Sequence, residues 1–425
     1  MKYLRQIIFE MKHQKMMTWV SISGIALSVF LVMVCFMINR LPLVEAAPES
    51  NRSRMLYGGG LDVHAERWSQ SGGMSYPLSE KLYGNLDGIE KIARSSAWED
   101  SYNVGIKGKI SNPMDGIKVD TDFWNMYDFK FISGKPFDKA SMEAGEKVVV
   151  LTRSVARKIF GKEEVAGEEV NIDAVPYRIT GVVEDVNPIM KATFSNIYLP
   201  FEPETFTTSE DFDGILVHLL MKPGVTEDEI KAQVKARFTQ FNAEKAKVKE
   251  EVIYHNDPHD AEIFSIKGVM GNWTPDLKSE HRGNYILYVI LILLPAINLS
   301  CMMRGRLRHR VSEIGVRRAY GAKKSSIISQ ILGENLIVTL IGGIVGFALS
   351  MVFIYFAADY FFSMSSADST ALEYSAKNPS FSMLFTWTNF IIALAVCFVL
   401  NLLSAFLPAW KASRVEPAVA IAKSR

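Results

Sequence analysis

Four long apolar stretches divide the chain. They occupy residues 18–38, 285–303, 327–358 and 387–408, and each approaches or exceeds the roughly 20 residues that an α-helix needs to cross the hydrocarbon core of a membrane. No charged residue lies at the centre of any of them. The pattern therefore predicts an α-helical membrane protein with four transmembrane helices, and it does not support a proton relay or a polar channel through the bilayer.

Basic residues between the apolar stretches predict the orientation of the helices. Lys and Arg are concentrated in residues 1–17, in the loop 304–326 and in the tail 409–425, and loops of this kind remain in the cytoplasm. Both termini are therefore expected to be cytoplasmic, whereas residues 39–284 and the loop 359–386 are expected outside. Several aromatic side chains near the ends of the stretches fit an interfacial position, among them Trp19, Tyr285, Trp387 and Trp410.

Residues 1–17 form a separate amphipathic segment. Leu4, Ile7 and Met11 recur at helical spacing, which predicts a cytoplasmic helix lying on the inner membrane surface. A cleaved signal peptide is the alternative, because basic residues precede the apolar stretch and small side chains follow near residues 44–46. The stretch is closer in length to a membrane span than to the core of a signal peptide, which favours the helix.

Residues 39–284 show the mixed periodicities of a large α+β domain between the first and second transmembrane helices. Acidic and basic residues are nearly balanced there, and the glycines at 58–60 and 72–73 are expected to form flexible turns. The pattern predicts helices over 77–86 and 154–160, the second ended by Gly161, and strands over 145–152, 196–200 and 215–221. It also predicts a hairpin over 170–185 that is interrupted at Val175 and Pro176. A further helix is expected to begin at a capping box of Thr226 and Glu229 and to bury Ile230, Val234, Phe238 and Phe241 on one face.

Composition agrees with a chain that is partly membranous and partly soluble. Hydrophobic residues make up 48% and charged residues 22% of the 425 residues, with a formal net charge of +1. Cys35, Cys301 and Cys397 all lie in apolar stretches. Neither a disulfide framework nor a Cys-based metal site is therefore expected.

His255, Asp257, His259 and Asp260 form the densest group of candidate metal ligands. They could offer nitrogen and oxygen ligands to a divalent metal, but no further ligand set accompanies them at a diagnostic spacing, so a solvated loop is favoured and no metal site is expected. The chain contains no G-x-S-x-G, HExxH or G-x-x-x-x-G-K-[ST] motif. It is therefore not expected to be an enzyme, and it is not expected to hydrolyse ATP alone.

The loop 304–326 carries eight basic residues against the single acidic residue Glu313. A short rigid helix in such a loop can dock in a groove of a soluble partner. The alternative is that the basic residues only set the topology and bind anionic membrane lipid. A helix over 312–320 would be closed by Gly321 and would bring four side chains onto neighbouring faces: Glu313, Val316, Arg317 and Tyr320.

Three parts of the chain carry a family resemblance. Residues 312–324 resemble the cytoplasmic signature of the MacB/FtsX/LolC-type ABC transporter permeases, and residues 407–418 resemble the C-terminal signature of the same superfamily. Residues 294–301 are similar to the corresponding segment of Bacteroidota-type permeases. Five segments resemble, in order, the MacB-type periplasmic core domain: 119–127, 134–137, 148–152, 156–161 and 179–185.

The resemblance implies the permease subunit of a type VII transporter that works with a separate ATPase and drives export or efflux by mechanotransmission. Residues 39–284 would form a periplasmic core domain with its stalk, and residues 285–425 an FtsX-like permease region in the bacterial inner membrane. ATP and Mg²⁺ would be bound by an ATPase dimer, so no cofactor is expected in this chain. Further partners would be a second permease chain, a periplasmic adaptor and a TolC-like outer-membrane channel, without nucleic acid. The residues implied in ATPase coupling are Glu313, Ile314, Gly315, Val316, Arg317, Arg318, Tyr320, Gly321 and Ala322.

Other functions share this topology. A lipoprotein-release permease would be recognised by an exposed apolar groove for acyl chains, and an FtsX-like regulator of cell-wall hydrolases usually has a smaller outside domain. A membrane-anchored sensor would bind no ATPase. The third stretch also contains Gly342, Gly343 and Gly346, whose spacing permits close helix packing, either within the four-helix unit or at a dimer interface.

Overall fold

The computed structural model describes most of the chain outside parts of the membrane region. The described residues are 15–40, 44–106, 111–206, 211–267 and 319–363, together with Ile314, Val316 and single positions or short pieces within 276–293 and 390–410. They form two compact units. One comprises Met1–Arg40, Lys278–Ala357 and Leu384–Arg425, and the other comprises Leu41–Leu277 and Ala358–Met383.

Eight helices are assigned along the described residues, with short 3₁₀ turns at Arg52–Arg54 and Pro203–Phe206. Two of the eight are long and apolar, and the others are helices of the outside domain. In chain order they are α1 Lys15–Arg40, α2 Tyr76–Tyr83, α3 Thr121–Met126, α4 Lys139–Glu143, α5 Arg153–Phe160, α6 Glu227–Ala246, α7 Ala261–Lys267 and α8 Lys324–Ser363.

Fourteen strands, all in the second unit, are assigned in the same residues. They are β1 Met55–Gly58, β2 Gly60–Ala65, β3 Ser69–Gly73, β4 Ile89–Ser96, β5 Asp100–Gly105, β6 Asn112–Val119, β7 Phe131–Gly134, β8 Val148–Thr152, β9 Glu169–Ile172, β10 Val175–Val183, β11 Ile197–Pro200, β12 Ile215–Met221, β13 Glu250–Val252 and β14 His259–Asp260.

Helices α1 and α8 contain the two segments that are long and apolar enough to cross a membrane. These segments are Thr18–Cys35 and Lys324–Phe353, with a mean hydropathy of 2.1 and 2.5. Helix α8 extends beyond the predicted span 327–358 at both ends. Only single positions and short pieces of the predicted spans 285–303 and 387–408 and of the amphipathic segment 1–17 are among the described residues.

The strands of the outside domain form a closed ring with an extension. Antiparallel pairs join β10 to β9, β9 to β5, β5 to β6 and β11 to β8, and parallel pairs join β6 to β11 and β8 to β10. These six strands therefore close on themselves. The sheet continues from β6 through β4, β12 and β1 to β14, with β7 on β10, while β13, β2 and β3 form a separate three-stranded sheet.

Three large apolar cores are found among the described residues of this domain. One lies between the ring strands and α5 and includes Val149, Ile172 and Ile197. A second surrounds the aromatic side chains of α3, and the third packs α2 and α6 against β12. Burial of Ile230, Val234, Phe238 and Phe241 on one face of α6 is confirmed.

Several local predictions in this domain are also confirmed. Strand β12 covers the predicted residues 215–221, and β8 is followed directly by α5. Gly161 ends α5 with a φ of +77°, in the left-handed region that glycine adopts at low cost.

Three predictions about turns and caps were wrong. Residues 72–73 lie in strand β3 instead of a turn, paired with β2, and a Cβ on Gly73 would lie 2.5 Å from Gly214 Cα. The hairpin of β9 and β10 turns at Asp173 and Ala174, which both have positive φ, so Pro176 lies within a paired strand. In the fully described first turn of α6, Thr226 Oγ1 donates to Glu229 Oε1 at 2.8 Å and makes no hydrogen bond to the backbone.

Candidate coupling site

Ile314, in the segment before α8, is apolar and buried. Ile314 is only 7% exposed and packs with Ile327 and Ile331, which lie on the first two turns of α8. Ala322 and Leu332 are partly buried against the same cluster. Two described residues of the predicted coupling segment, Ile314 and Ala322, thus make apolar contacts with the beginning of α8.

The outer face of this segment is exposed. Val316 and Tyr320 are 43% and 89% exposed, and the backbone N–H of Tyr320 donates to the carbonyl of Val316 at 3.1 Å. Residues four positions apart lie on one face of a helix, so the two side chains form a single apolar and aromatic patch. A side chain as large as tyrosine exposed to this extent is a candidate anchor for a partner protein.

Backbone geometry ends the segment at the next residue. Gly321 has a φ of +86°, as expected of a residue that follows a helix, and the carbonyl of Lys323 accepts hydrogen bonds from Ser326 and Ile327 at the start of α8. The four predicted coupling residues Glu313, Gly315, Arg317 and Arg318 lie outside the described residues.

Gly342, Gly343 and Gly346 of α8 lie close to other parts of the same unit. A Cβ on Gly342 would lie 2.8 Å from the Cβ of Ile25, and one on Gly346 would lie 2.3 Å from the carbonyl oxygen of Ala26, both on α1. A Cβ on Gly343 would lie 2.5 Å from Leu394. Glycine at these positions allows α8 to approach its neighbours closely. The contacts are within one chain, which is the first of the two kinds of packing expected from the spacing of these glycines.

The candidate metal ligands of residues 255–260 separate into two groups. His255 Nε2 lies 3.0 Å from Asp62 Oδ2, whereas Asp257 Oδ1 contacts His259 Nε2 at 2.8 Å and Lys267 Nζ at 3.1 Å. Among the residues that the structure describes, no three His, Cys, Asp or Glu side chains are placed to hold a metal ion. These side chains instead attach the loop and α7 to the body of the domain.

A buried polar network beside α3 was not predicted from the sequence. The backbone N–H of Arg94 and that of Phe123 each donate to the carboxylate of Asp120 at 2.9 Å, and His218 lies between Tyr127 and Ser95. Burial raises the pKa of Asp120 to about 7, whereas burial and the charge of Arg94 lower the pKa of His218 to about 3. These residues share no sequence motif, because three elements that are separate in the chain, β4, α3 and β12, bring them together.

Comparison with known families identifies the group to which the chain belongs. Residues 18–237 match the family model of the MacB-like periplasmic core domain, and residues 285–417 match the FtsX-like permease C-terminal model. The chain belongs to the MacB-type permease family. It combines a MacB-like periplasmic core domain with an FtsX-like permease region, and at least two of its described helices are candidate membrane spans.

Curated relatives of this MacB-type permease extend over different parts of it. The macrolide export ATP-binding/permease protein MacB of Salmonella paratyphi A is 23% identical over 446 residues, covering 99% of this chain and 62% of that protein. The ABC transporter permease YknZ of Bacillus subtilis is 25% identical over 233 residues, covering 54% of this chain and 55% of YknZ. The chain therefore spans about three fifths of the length of the MacB relative.

Two solved structures show a limited similarity to this chain. A domain of a permease protein from Porphyromonas gingivalis is 15% identical, covers 49% of this chain and 92% of its own, and has a TM-score of 0.35. The periplasmic region of MacB from Actinobacillus actinomycetemcomitans is 16% identical, covers 48% and 89%, and also has a TM-score of 0.35.

Proposed function

We propose that this MacB-type permease couples ATP hydrolysis by a separate ATPase subunit to conformational change in its periplasmic domain. The observation that carries the proposal is the two-sided segment before α8. Its inner face, at Ile314, is buried against the membrane helix, while its outer face, at Val316 and Tyr320, is exposed. A rigid element held on one side and free on the other can pass motion from a docked partner to the helix.

The apolar contacts of α8 support a mechanical path. Motion of the segment would reach α8 through Ile327 and Ile331, and α8 packs against α1 through Gly342 and Gly346. Packed helices move as units because their interiors are dense and resist deformation. Together with the absence of charge at the centre of the predicted spans, this favours mechanotransmission over passage of a polar substrate between the helices.

The assembly that follows contains two permease chains and an ATPase dimer that binds ATP and Mg²⁺. Each permease would have four transmembrane helices in the inner membrane, with both termini in the cytoplasm. The periplasmic domain would deliver an exported substrate onward, through an adaptor and an outer-membrane channel. The MacB relatives are named for macrolide export, and a related export function is proposed for this chain.

The test is permease-stimulated ATP hydrolysis by the purified complex. Tyr320→Ala removes the exposed anchor, and Gly321→Val places a β-branched residue at a φ of +86°. Both variants should lower the stimulation, while Leu336→Ala, on an exposed part of α8, should leave it unchanged. Normal stimulation and normal ATPase binding in both variants would contradict a role in coupling. The basic residues of the loop would then only set the membrane topology.

A further inference from the structure

Arg52 is the largest fully buried side chain among the described residues. It is 2% exposed, and its partner Glu49 is 1% exposed. Arg52 Nε lies 3.4 Å from Glu49 Oε2, so the two side chains form an ion pair inside the periplasmic domain. Burial raises the pKa of Glu49, while the charge of Arg52 opposes the rise. A guanidinium stays protonated at any ordinary pH, so the buried charge of Arg52 needs the carboxylate beside it.

The residues between β10 and β11 hold both members of this ion pair. Thr193 Oγ1 donates to Glu49 Oε1 at 2.9 Å, while Arg52 Nη2 donates to the carbonyl of Ile189 at 3.3 Å. Arg52 Nη1 also lies 3.7 Å from a methionine sulfur of the same segment. Residues 186–194 are called the joint loop below. The joint loop is thus attached to the residues by which the chain enters the domain.

The joint loop also contacts the helix by which the chain leaves the domain. Lys191 Nζ donates to the carbonyl of Ser265 in α7 at 2.9 Å. Helix α7 is attached to β1 as well, because the rings of Tyr57 and Phe264 stack with their centroids 4.3 Å apart. The joint loop therefore contacts both the segment that follows α1 in the chain and the helix that precedes the second predicted span.

Stability alone does not account for an ion pair at this position. Replacement of a buried ion pair by apolar residues of similar volume is often neutral or stabilising. What charged and hydrogen-bonded groups add is direction, because their bonds form well in only one arrangement of the groups that contact them. Here those groups belong to the joint loop, so Glu49 and Arg52 fix its position relative to the entering chain.

We propose that Glu49 and Arg52 are positioning residues that pass movement of the first membrane helix into the periplasmic domain. The pair fixes the entering segment to the joint loop, and the joint loop carries the movement to α7. The two chain connections of the domain would thus move together instead of independently. This inference rests on the proposed coupling function and adds to it two residues that are far along the chain from the coupling segment.

A paired substitution separates direction from stability. Glu49→Gln combined with Arg52→Met removes both charges, keeps side chains of similar length and leaves no buried charge without a partner. The glutamine retains an acceptor oxygen for the joint loop, whereas the bonds from Arg52 to the joint loop are lost. Arg54→Met is the matched control, because Arg54 lies in the same 3₁₀ turn and makes its ion pair with the half-exposed Glu90, at 2.9 Å, outside the joint loop.

The experiment is hydrogen–deuterium exchange of the full permease–ATPase complex, with ADP and with a non-hydrolysable ATP analogue. The backbone N–H groups of Met190, Thr193 and Phe194 are hydrogen-bonded within the joint loop, so their exchange reports its opening. In the unmodified complex the analogue should change the exchange of residues 186–194. The paired variant should lose this difference and keep cooperative thermal unfolding, whereas Arg54→Met should retain the difference. Exchange times are chosen at which the chains with ADP are equally labelled, which removes any general loosening from the comparison.

The result in the paired variant decides the proposal. Loss of the nucleotide-dependent difference in that variant but not in the control supports it. A difference of unchanged size overturns it, because a pair that only stabilises the fold would alter exchange equally in both nucleotide states. Loss in the control as well, or no difference in the joint loop of the unmodified complex, also overturns it.

Two further variants keep the test decisive. If the paired variant does not fold, Thr193→Val removes the hydrogen bond to Glu49 and leaves the ion pair in place. It should lose part of the nucleotide-dependent difference, and an unchanged difference overturns the proposal. Tyr320→Ala identifies failure of the proposed function itself, through unaltered stimulation of ATP hydrolysis. Lowered stimulation in Tyr320→Ala without any nucleotide effect in the joint loop means that coupling exists but does not pass through Glu49 and Arg52.

Discussion

His218 should give the periplasmic domain a pH-dependent contribution to its stability that one substitution can isolate. Its Nδ1 lies 2.7 Å from Tyr127 Oη and its Nε2 lies 2.9 Å from Ser95 Oγ, in the interior of the domain. Burial and Arg94 lower its pKa from 6.5 to about 3. Between these two values the unfolded chain binds a proton that the folded domain does not. The contribution of His218 to stability is therefore complete above pH 6.5 and declines as the pH falls.

Asp120 contributes with the opposite sign in nearly the same range. Burial raises its pKa from 3.8 to about 7, although Arg94 and two backbone hydrogen bonds oppose the change. Between pH 7 and 3.8 the folded domain holds a proton that the unfolded chain has lost. Stability from this group therefore increases as the pH falls. Each group contributes a slope of about 1.4 kcal/mol per pH unit, so the two largely cancel in the unmodified domain between roughly pH 6.5 and 4.

Single substitutions should reveal how each of the two groups changes the free energy of unfolding with pH. His218→Gln should destabilise the domain most near pH 7, and its penalty should shrink by about 1.4 kcal/mol per pH unit between pH 6 and pH 4.5. Asp120→Asn should show a penalty that grows over the same range. All other titrating groups cancel when each variant is compared with the unmodified domain at the same pH.

Urea unfolding of residues 41–277, repeated from pH 7.5 to 4.5, measures these differences. Ser95→Ala is the matched control, because it removes one hydrogen bond from His218 without removing a titrating group, and its penalty should be nearly independent of pH. The reasoning is refuted if the penalty of His218→Gln is constant with pH, or if it grows toward acid.

Three further predictions follow from the same structure. Residues 41–277 expressed alone should be a folded monomer with cooperative thermal unfolding, because their cores are their own; aggregation under several choices of boundary would contradict this. In a chain without its own cysteines, Val248→Cys should react with an impermeant thiol reagent on intact cells and Tyr320→Cys only after the membrane is opened, and the reverse result would invert the topology. Gly346→Leu should destabilise the detergent-purified permease by about 1–3 kcal/mol in thermal unfolding, because its Cβ would lie 2.3 Å from Ala26 O. Gly333→Leu is the control, since a Cβ there meets no described atom within 4 Å, and equal effects of the two changes would exclude close packing as the cause.

Local patterns were enough to determine several elements of this protein. The run of apolar residues in β12, the helical spacing of Ile230, Val234 and Phe238, and the glycine after α5 each depend on interactions between residues close in the chain. The sequence also indicated which family the chain belongs to, because its motifs occur in order along nearly the whole length.

The tertiary structure decided which side chains meet. No local pattern indicates that the strand order closes a ring, that Gly73 must approach Gly214, or that His255 and Asp257 point to different partners. The same is true of His218 and Arg94, whose pairing with Tyr127 and Asp120 depends on strands far apart in sequence. In the coupling segment, spacing placed Val316 and Tyr320 together, but only the contacts of Ile314 with α8 showed which face is held and which is exposed. The periodicity of a helix or strand shows which of its residues share a face. What that face packs against depends on contacts between residues that are distant along the chain.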